Sequence, residues 1–262
     1  MTILSNGHLW KHSEFIENKN FSFNKNKILS SLSKKDIDDA YLSISNWEGY
    51  SPTPLIELNK LSKELNLNKI FYKDESKRFD LKSFKALGGA YAVEKVSNGN
   101  KDIVVATATA GNHGRSVSWG ARRLGLKCKI FISEFVSEAR GQAMSDLGAD
   151  VIKVKGNYEK SLIQCIEQST KNNWKIVQDV AWNNYITIPK YTMAGYSVMM
   201  KEIVSQINKN NISHMPKYGR TSFLNNLSSN TYYPNRACCI IAARCFCSCW
   251  FLFWCESCIE TF

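Results

Sequence analysis

The sequence predicts an α/β fold in which parallel sheets are flanked by helices. Between residues 103 and 178, short apolar runs of strand length alternate with helical segments, an order typical of parallel sheets. A glycine-flanked turn at residues 111–114 follows the first of these runs, where a strand passes into a helix. With 262 residues and 44% hydrophobic content, the chain can bury a sizeable core in one large or two small domains.

The elements follow one another in a regular order. The apolar runs predict strands at residues 103–108, 128–133, 151–154 and 175–178. The segments between them predict helices at 115–124, at 137–147 with Ser137 as the cap, and at 158–172. A last helix is predicted at 192–207, where apolar side chains recur at helical spacing and are expected in the core: Met193, Tyr196, Met199, Met200, Ile203 and Ile207.

The most informative residue is Lys85, which lies between Ser83-Phe84 and the pair Gly88-Gly89. A lysine amine becomes a nucleophile or a base when burial or neighbouring charges change its protonation, and bonding to the carbonyl of pyridoxal phosphate (PLP) is the commonest use of such an amine. A solvated helix lysine is the ordinary alternative. The residues around Lys85 therefore decide between the two interpretations.

A second candidate segment is the turn that contains Gly111, Asn112, His113 and Gly114. A glycine-rich passage from strand to helix exposes backbone N–H groups and the positive end of a helix, which suits an anionic or electron-rich ligand. In parallel sheets, ligands collect at the carboxyl ends of strands, and this turn occupies such an end.

Three segments resemble, in the same order, parts of the diaminopropionate ammonia-lyases, which are PLP enzymes of the tryptophan synthase β-subunit type (fold type II). They are the Thr53-Pro54-Leu55 segment, the region 72–93 around the lysine and the asparagine turn at 108–115. The resemblance continues at 156–158, 177–182 and 188–196, and it covers roughly residues 45 to 208. The order and spacing of the motifs make coincidence a poor explanation.

The resemblance implies a function for particular residues. Lys85 would hold PLP covalently, release it to 2,3-diaminopropionate and then, as the free amine, remove the α-proton; loss of ammonia leads to pyruvate and a second ammonia. Asn112 would contact the ring hydroxyl of the cofactor, and Phe84 would pack near its ring unless it belongs only to the core. Gly111 and Gly114 would belong to the cofactor-binding turn. The family also implies a homodimer.

One residue departs from the family pattern. Ala110 stands where many of these lyases carry an aspartate that is thought to serve the D-isomer, and a methyl group accepts no proton. We therefore expect an intact relative with this residue to act on one face of the substrate, through Lys85, and to favour the L-isomer or a related β-substituted amino acid. His113 is an alternative base because histidine titrates near neutrality, but its place in the turn favours a structural role.

Charge and composition add weaker evidence. The formal net charge is +11, but the lysines are spread out without a basic cluster that carries interleaved aromatic residues, so we expect no nucleic-acid partner. Residues 73–78 form a mixed-charge stretch that predicts surface ion pairs, or else a role in packing or at the site entrance. Asp179 ends a predicted strand, where a ligand-facing carboxylate is plausible. The absence of an apolar leader favours the cytoplasm, without membrane attachment.

The last fifty residues differ in composition from the rest. Seven of the nine cysteines lie between Cys238 and Cys258. A disulfide framework, a zinc site at Cys255 and Cys258, and a membrane span at 237–254 are three explanations; Arg244 near the centre of the span argues against the last. A shifted reading frame near residue 215 is the fourth, and it would also explain why the resemblance stops and why no glycine-rich phosphate loop follows.

The sequence thus predicts three regions. Residues 1–90 would form the N-terminal part of a large PLP domain, and residues 91–208 a small α/β domain with the asparagine turn. Residues 209–262 would be an aberrant tail, disordered or frameshifted. The alternative functions are a PLP dehydratase or β-replacement enzyme acting on serine, threonine or a cysteine precursor, and a non-catalytic remnant that binds no cofactor.

Overall fold

The structure is a computed structural model that describes residues 31–64 and 69–209 and, as backbone only, the strands at 239–244 and 250–254. Its core is a parallel four-stranded sheet with the strand order β5-β4-β3-β6. The bounds are β3 (Val104–Ala108), β4 (Lys127–Ser133), β5 (Asp150–Val154) and β6 (Lys175–Ile176). The predicted fold class and all four strands are confirmed; β6 is shorter than predicted, although the Val177 N–H still bonds to the Ala106 carbonyl at 2.8 Å.

Helices cover both faces of this sheet. They are α4 (Asn112–Leu124), α5 (Glu138–Ser145) and α6 (Tyr158–Asn172). Alternate side chains of β3 and β4 point to opposite faces, so that Val105 and Ile130 pack with α4 and α5, whereas Ala106 and Phe131 pack against α6. The helix α6 has the predicted bounds because the Asn157 side chain caps its first turn by accepting from the Lys160 N–H.

A second group of helices packs beside the first. It contains α1 (Lys34–Ser45), the short α2 (Asn59–Glu64), α3 (Lys85–Ser97) and α7 (Thr187–Lys209). The helix α7 begins five residues before its predicted start because Pro189 is tolerated in a first helical turn, where no intrahelical N–H bond is needed. Its apolar residues are buried as predicted from Met199 to Ile207, but Met193 is 51% exposed, so the prediction of a core position for Met193 was wrong.

The remaining strands form a second sheet with the order β1-β2-β7-β8. Its members are β1 (Leu55–Glu57), β2 (Lys69–Lys73), β7 (Cys239–Arg244) and β8 (Trp250–Trp254). The strand β7 is parallel to β2, and β8 is antiparallel to β7. Two strands therefore lie in the tail for which the sequence predicted disorder or a shifted frame; the rest of residues 210–262, including the Cys255–Cys258 pair, lies outside the described residues.

The helix α3 runs between α4 and α7 at very short distances. A Cβ atom added to Gly120 of α4 would lie 2.7 Å from the Ala90 Cα atom, and one added to Gly195 of α7 would lie 2.4 Å from the Leu87 carbonyl oxygen. Gly88 and Gly89 of α3 make similar approaches to α7 and α4. The predicted domain boundary at 90/91 falls inside α3, and the division into domains stays a prediction.

A group of charged side chains is buried between β2, the 3-10 turn Glu75–Asp80 and α7. Its members are Lys73, Glu75, Arg78 and Glu202, each at most 3% exposed. The Glu202 carboxylate lies 2.8 Å from the Lys73 amine and 2.7 Å from the Arg78 guanidinium, which also contacts Glu75 at 2.8 Å. The interpretation of 73–78 as surface ion pairs was wrong, and the packing alternative is correct: the two positive and two negative charges balance in the interior.

The described residues contain neither a candidate membrane span nor a candidate metal cluster. No helix among them is long and apolar enough to cross a membrane. Nor do His, Cys, Asp and Glu side chains gather there in a group of three or more that could hold a metal ion.

Candidate active site

Lys85 is the first residue of α3, and its amine projects towards the end of the parallel sheet. The amine donates to the Asp179 carboxylate at 2.7 Å, and the two side chains are 20% and 19% exposed. The Lys85 N–H bonds to the Ser83 hydroxyl at 3.2 Å, and the Ser116 hydroxyl of α4 donates to the Lys85 carbonyl at 2.5 Å. The start of α3 is thus fixed from two sides, while the amine remains accessible.

Two aromatic rings lie beside this amine. The Lys85 amine is 5.8 Å from the centre of the Phe84 ring and 5.4 Å from that of Tyr196. The two rings meet edge to face with their centres 5.1 Å apart, and Phe84 is buried. Such a surface attracts a cation through the ring faces and also suits a flat ligand.

Asp179 and His113 form the polar side of the site. The His113 ring is buried, and its Nε2 lies 2.9 Å from the Val177 carbonyl, so Nε2 carries the proton of the neutral ring. Its Nδ1 atom is then an acceptor; it lies 3.7 Å from the Asp179 carboxylate and has no hydrogen-bond partner among the described residues. His113 therefore contributes one unused acceptor next to the Lys85–Asp179 pair.

The charges of these two groups follow from their surroundings. Burial lowers the pKa of His113 below its ordinary value of 6.5 and outweighs the attraction of Asp179, so the ring is neutral at pH 7. Burial alone would raise the pKa of Asp179, but His113 and Lys85 hold it below the ordinary 3.8. Asp179 is therefore a carboxylate throughout the physiological range.

The asparagine turn starts α4 at the carboxyl end of β3. Asn112 is the first residue of the helix and is half-buried. The Thr109 hydroxyl accepts from the N–H groups of Gly111 and Gly114 at 3.2 and 3.3 Å, so these two N–H groups stabilise the turn itself. A Cβ atom on Gly114 would lie 2.4 Å from both Met144 and Thr109, which shows that close packing requires glycine there.

The structure brings together most of the residues that the sequence selected. Lys85, Phe84, His113 and Asp179 form one cluster, and the turn with Gly111, Asn112 and Gly114 lies next to it through His113. Asp179 was only a weak candidate from the sequence, and Tyr196 and Ser116 were not predicted to belong to the site. The motif 177–182 was the available signal for Asp179, because it places a carboxylate directly after a strand of the sheet.

A comparison with protein families decides the class of the chain. Residues 47–216 match the model of the family described as "Pyridoxal-phosphate dependent enzyme", which is more than half of the sequence. The chain belongs to this family. Its cofactor is pyridoxal phosphate, as the residues around Lys85 implied.

Individual relatives agree with the expected resemblance. The chain is 36% identical over 179 residues to the diaminopropionate ammonia-lyase of Escherichia coli K12, an alignment that spans 62% of this chain and 45% of the relative. It is 28% identical over 185 residues to a biosynthetic L-threonine dehydratase of Staphylococcus epidermidis, spanning 70% and 41%. The chain thus covers about half the length of the curated relatives it matches.

Solved structures give the same result for the fold. The crystal structure of the Escherichia coli diaminopropionate ammonia-lyase in complex with D-serine matches with a TM-score of 0.65 and 33% identity, over 68% of this chain and 50% of that one. A threonine deaminase from Solanum lycopersicum matches with a TM-score of 0.59 and 25% identity, over 74% and 49%. The fold is that of the fold type II PLP enzymes.

The residues of the site fit one end of the cofactor. The Lys85 amine can bond to the aldehyde of the cofactor, and the Phe84 and Tyr196 rings lie beside that amine. The Nδ1 atom of His113, which has no partner among the described residues, can accept a hydrogen bond. The phosphate end is different. After Gly195 these 262 residues contain a single further glycine, Gly219, so none of them supplies the glycine-rich loop that the resemblance implies for the phosphate.

Proposed function

We propose that the site performs the chemistry of a PLP-dependent ammonia-lyase, which converts 2,3-diaminopropionate to pyruvate and ammonia by α-proton removal and β-elimination. The observation that supports it best is the 2.7 Å pair of the Lys85 amine with Asp179, beside the unused acceptor of His113. A substrate with two amino groups can use one of them to replace the Lys85 amine on the cofactor. The second amino group can donate hydrogen bonds to the Asp179 carboxylate and the His113 imidazole.

The chain's own residues have distinct roles in this proposal. Lys85 holds the cofactor through its amine and, once released, accepts the α-proton of the substrate. Asp179 and His113 receive the β-ammonium group and orient it for departure. Asn112 contacts the ring hydroxyl of the cofactor, Phe84 packs beside the ring, and Gly111 and Gly114 keep the turn in place. The bound cofactor supplies an electron sink for the charge left at the α-carbon.

The first experiment tests whether Lys85 binds the cofactor. We expect the purified 262-residue chain, mixed with PLP, to show the visible absorbance band of the lysine-bound cofactor, and borohydride reduction followed by peptide mass spectrometry to place the added mass on Lys85. The Lys85→Ala variant should lose the band, whereas Lys95→Ala, an exposed lysine of the same helix, should keep it. No band with the unaltered chain would favour the non-catalytic remnant and reject the enzymatic functions.

The second experiment separates the substrates. Pyruvate and ammonia should be released faster from 2,3-diaminopropionate than from serine, and 2-oxobutyrate from threonine should form slowly. The reverse order would favour the dehydratase alternative, the class to which the L-threonine dehydratase relatives belong. Asp179→Asn should slow the diaminopropionate reaction, because it removes the negative charge that binds the β-ammonium group. It should not remove the absorbance band, because the Lys85 amine that bonds to the cofactor is unchanged.

The proposal includes the stereochemical preference. Ala110 has no proton acceptor in its side chain, and its carbonyl accepts from the exposed Arg140 at 3.3 Å. We therefore propose that Lys85 acts on one face and that the L-isomer reacts faster than the D-isomer. Comparable rates with both isomers would contradict this, and Ala110→Asp should raise the rate with the D-isomer alone.

Two further elements of the proposal follow from the family. The protein would act in the cytoplasm and would form homodimers. Light scattering after size-exclusion chromatography measures the mass of the particle directly, and a monomer at micromolar concentration would exclude the dimer. Cell fractionation with an antibody against the chain tests the location.

A further inference from the structure

A cavity of about 500 Å³ lies along one side of α4, between that helix, the end of α5 and the turn Glu75–Asp80. Its lining includes Arg115, Trp119, Arg122 and Arg123 of α4, together with Phe79 of the turn. The volume falls within the range of small-molecule sites, roughly 300–1,000 Å³. None of the residues of the Lys85 site belongs to the lining, so the cavity is a separate feature.

The cavity carries an excess of positive charge. Three guanidinium groups line it, against the two carboxylates of Asp80 and Asp146. Arg115 and Arg122 are seven residues apart and therefore lie on the same side of α4. Within the described residues neither forms an ion pair, and the Arg115 guanidinium donates one hydrogen bond there, to the Leu81 carbonyl at 3.0 Å. Arginine side chains that are free of carboxylates suit the paired oxygens of a carboxylate or a phosphate.

Two of these guanidinium groups contain buried donors without a partner. The Arg115 Nε and one terminal nitrogen of Arg123 make no hydrogen bond in the described part of the chain. Arg123 is already held in position, because its guanidinium lies 4.0 Å from the centre of the Trp47 ring and 3.5 Å from the Glu94 carboxylate. A buried N–H without an acceptor is unfavourable, so an incoming oxygen gains from being its first acceptor.

The cavity also offers an aromatic pair next to a strained segment. The rings of Phe79 and Trp119 contact each other at a tilt, with their centres 4.7 Å apart and their planes inclined by 32°. The backbone at Phe79 and Asp80 is left-handed, with φ angles of 47° and 57°, a conformation that residues other than glycine adopt at a cost. Such strain persists where the surroundings impose it, and it is concentrated at ligand sites.

We propose that this cavity is a second ligand site, which binds a small organic anion: a carboxylate or a phosphate monoester attached to a flat ring. The anionic group would contact Arg115 and Arg122, and the ring would lie against Trp119 and Phe79. This site is independent of the lyase chemistry, because it shares no residue with the Lys85 cluster.

The test uses the full 262-residue chain and equilibrium dialysis with three probes: phenyl phosphate, benzoate and the neutral benzyl alcohol. We expect saturable binding of at least one of the two anions, competition by inorganic phosphate, and much weaker binding of benzyl alcohol. The tighter of the two anions identifies the class of ligand. Arg122→Gln, a change at an exposed side chain, should weaken the anion about tenfold, as expected for the loss of one charge-assisted hydrogen bond.

Two control variants separate this site from general charge effects and from the cofactor site. Lys127→Gln removes an exposed charge outside the cavity, and Lys85→Ala alters the candidate active site; both should leave the affinity unchanged. The proposal is overturned if neither anion binds, if benzyl alcohol binds as well as the anions, or if Arg122→Gln and Lys127→Gln have the same effect. Loss of binding in Lys85→Ala would assign the anion to the cofactor site instead.

Discussion

Replacing Glu202 by glutamine should be among the most destabilising single changes in the chain. The carboxylate accepts from Arg78 at 2.7 and 2.8 Å, from the Tyr50 hydroxyl at 2.9 Å and from the Thr53 N–H at 3.3 Å, and it lies 2.8 Å from the Lys73 amine. Glutamine keeps the shape but removes the charge, which leaves two buried cations opposite Glu75 alone. Breaking a buried pair in this way costs about 3–5 kcal/mol.

Urea unfolding followed by circular dichroism measures this loss. With a denaturant slope of about 2 kcal/mol per molar, the midpoint should fall by roughly 1.5–2.5 M. The double variant Lys73→Met/Glu202→Gln restores the charge balance and should recover part of the loss. Glu138→Gln, which removes the charge from an exposed pair with Lys153, should leave the midpoint almost unchanged.

The pH dependence provides an independent check. Burial alone would raise the pKa of Glu202, but Arg78 and Lys73 hold it below the ordinary value of 4.5. The folded state therefore binds this proton less readily than the unfolded chain, so the contribution of Glu202 is complete above pH 4.5 and is lost as the pH falls through the lower folded pKa. The stability difference between wild type and Glu202→Gln should shrink in that window. A loss below about 1 kcal/mol at pH 7, or a difference that does not change with pH, would refute the buried network as a source of stability.

Three further predictions concern packing, reactivity and capping. Gly120→Ala places a Cβ atom 2.7 Å from the Ala90 Cα atom and should lower the free energy of unfolding in urea by about 1–3 kcal/mol. Gly141→Ala is the control: its Cβ atom would lie 3.4 Å from the nearest neighbour, so the change should be neutral or stabilising by about 0.5–1 kcal/mol. Burial raises the pKa of both the Cys128 and the Cys165 thiols to about 12. Both should therefore stay unlabelled by iodoacetamide at pH 8 until urea is added, as measured by peptide mass spectrometry. Rapid labelling of the folded chain would contradict their burial. Ser33→Ala removes the capping box with Asp36 at the start of α1 and should cost about 0.5–2 kcal/mol, while Ser45→Ala at the other end of that helix should cost less; equal losses would show that the box does not stabilise α1.

Local patterns predicted the local structure well. The bounds of α6 follow from an asparagine cap and regular apolar spacing, and those of β3 and β4 from short apolar runs, because each of these signals acts over a few residues. Lys85 was predicted to be the cofactor lysine for a different reason: the motif around it resembles a family. The family match confirmed that resemblance, and the role of Lys85 itself stays a prediction.

Contacts between distant residues could not be predicted in this way. The mixed charges at 73–78 have the composition of a solvated surface. Their burial becomes favourable only through the contact with Glu202, which lies 124 residues after Arg78 in the sequence. Asp179 is 94 residues from Lys85, and no periodicity connects them. Met193 fits the apolar stripe of α7 but lies on a part of the helix that no described element covers.

The close contacts of α3 with its neighbours have a consequence for how this sequence can change. At Gly88, Gly120 and Gly195 the atoms that would meet an added methyl group include backbone atoms of the adjacent helix. A clash with a side chain can be relieved by shortening that side chain, but no substitution shortens a backbone. No second mutation can therefore compensate for a larger residue at these glycines, and the position of Lys85 is inherited together with the three glycines that let α3 pack against its neighbours.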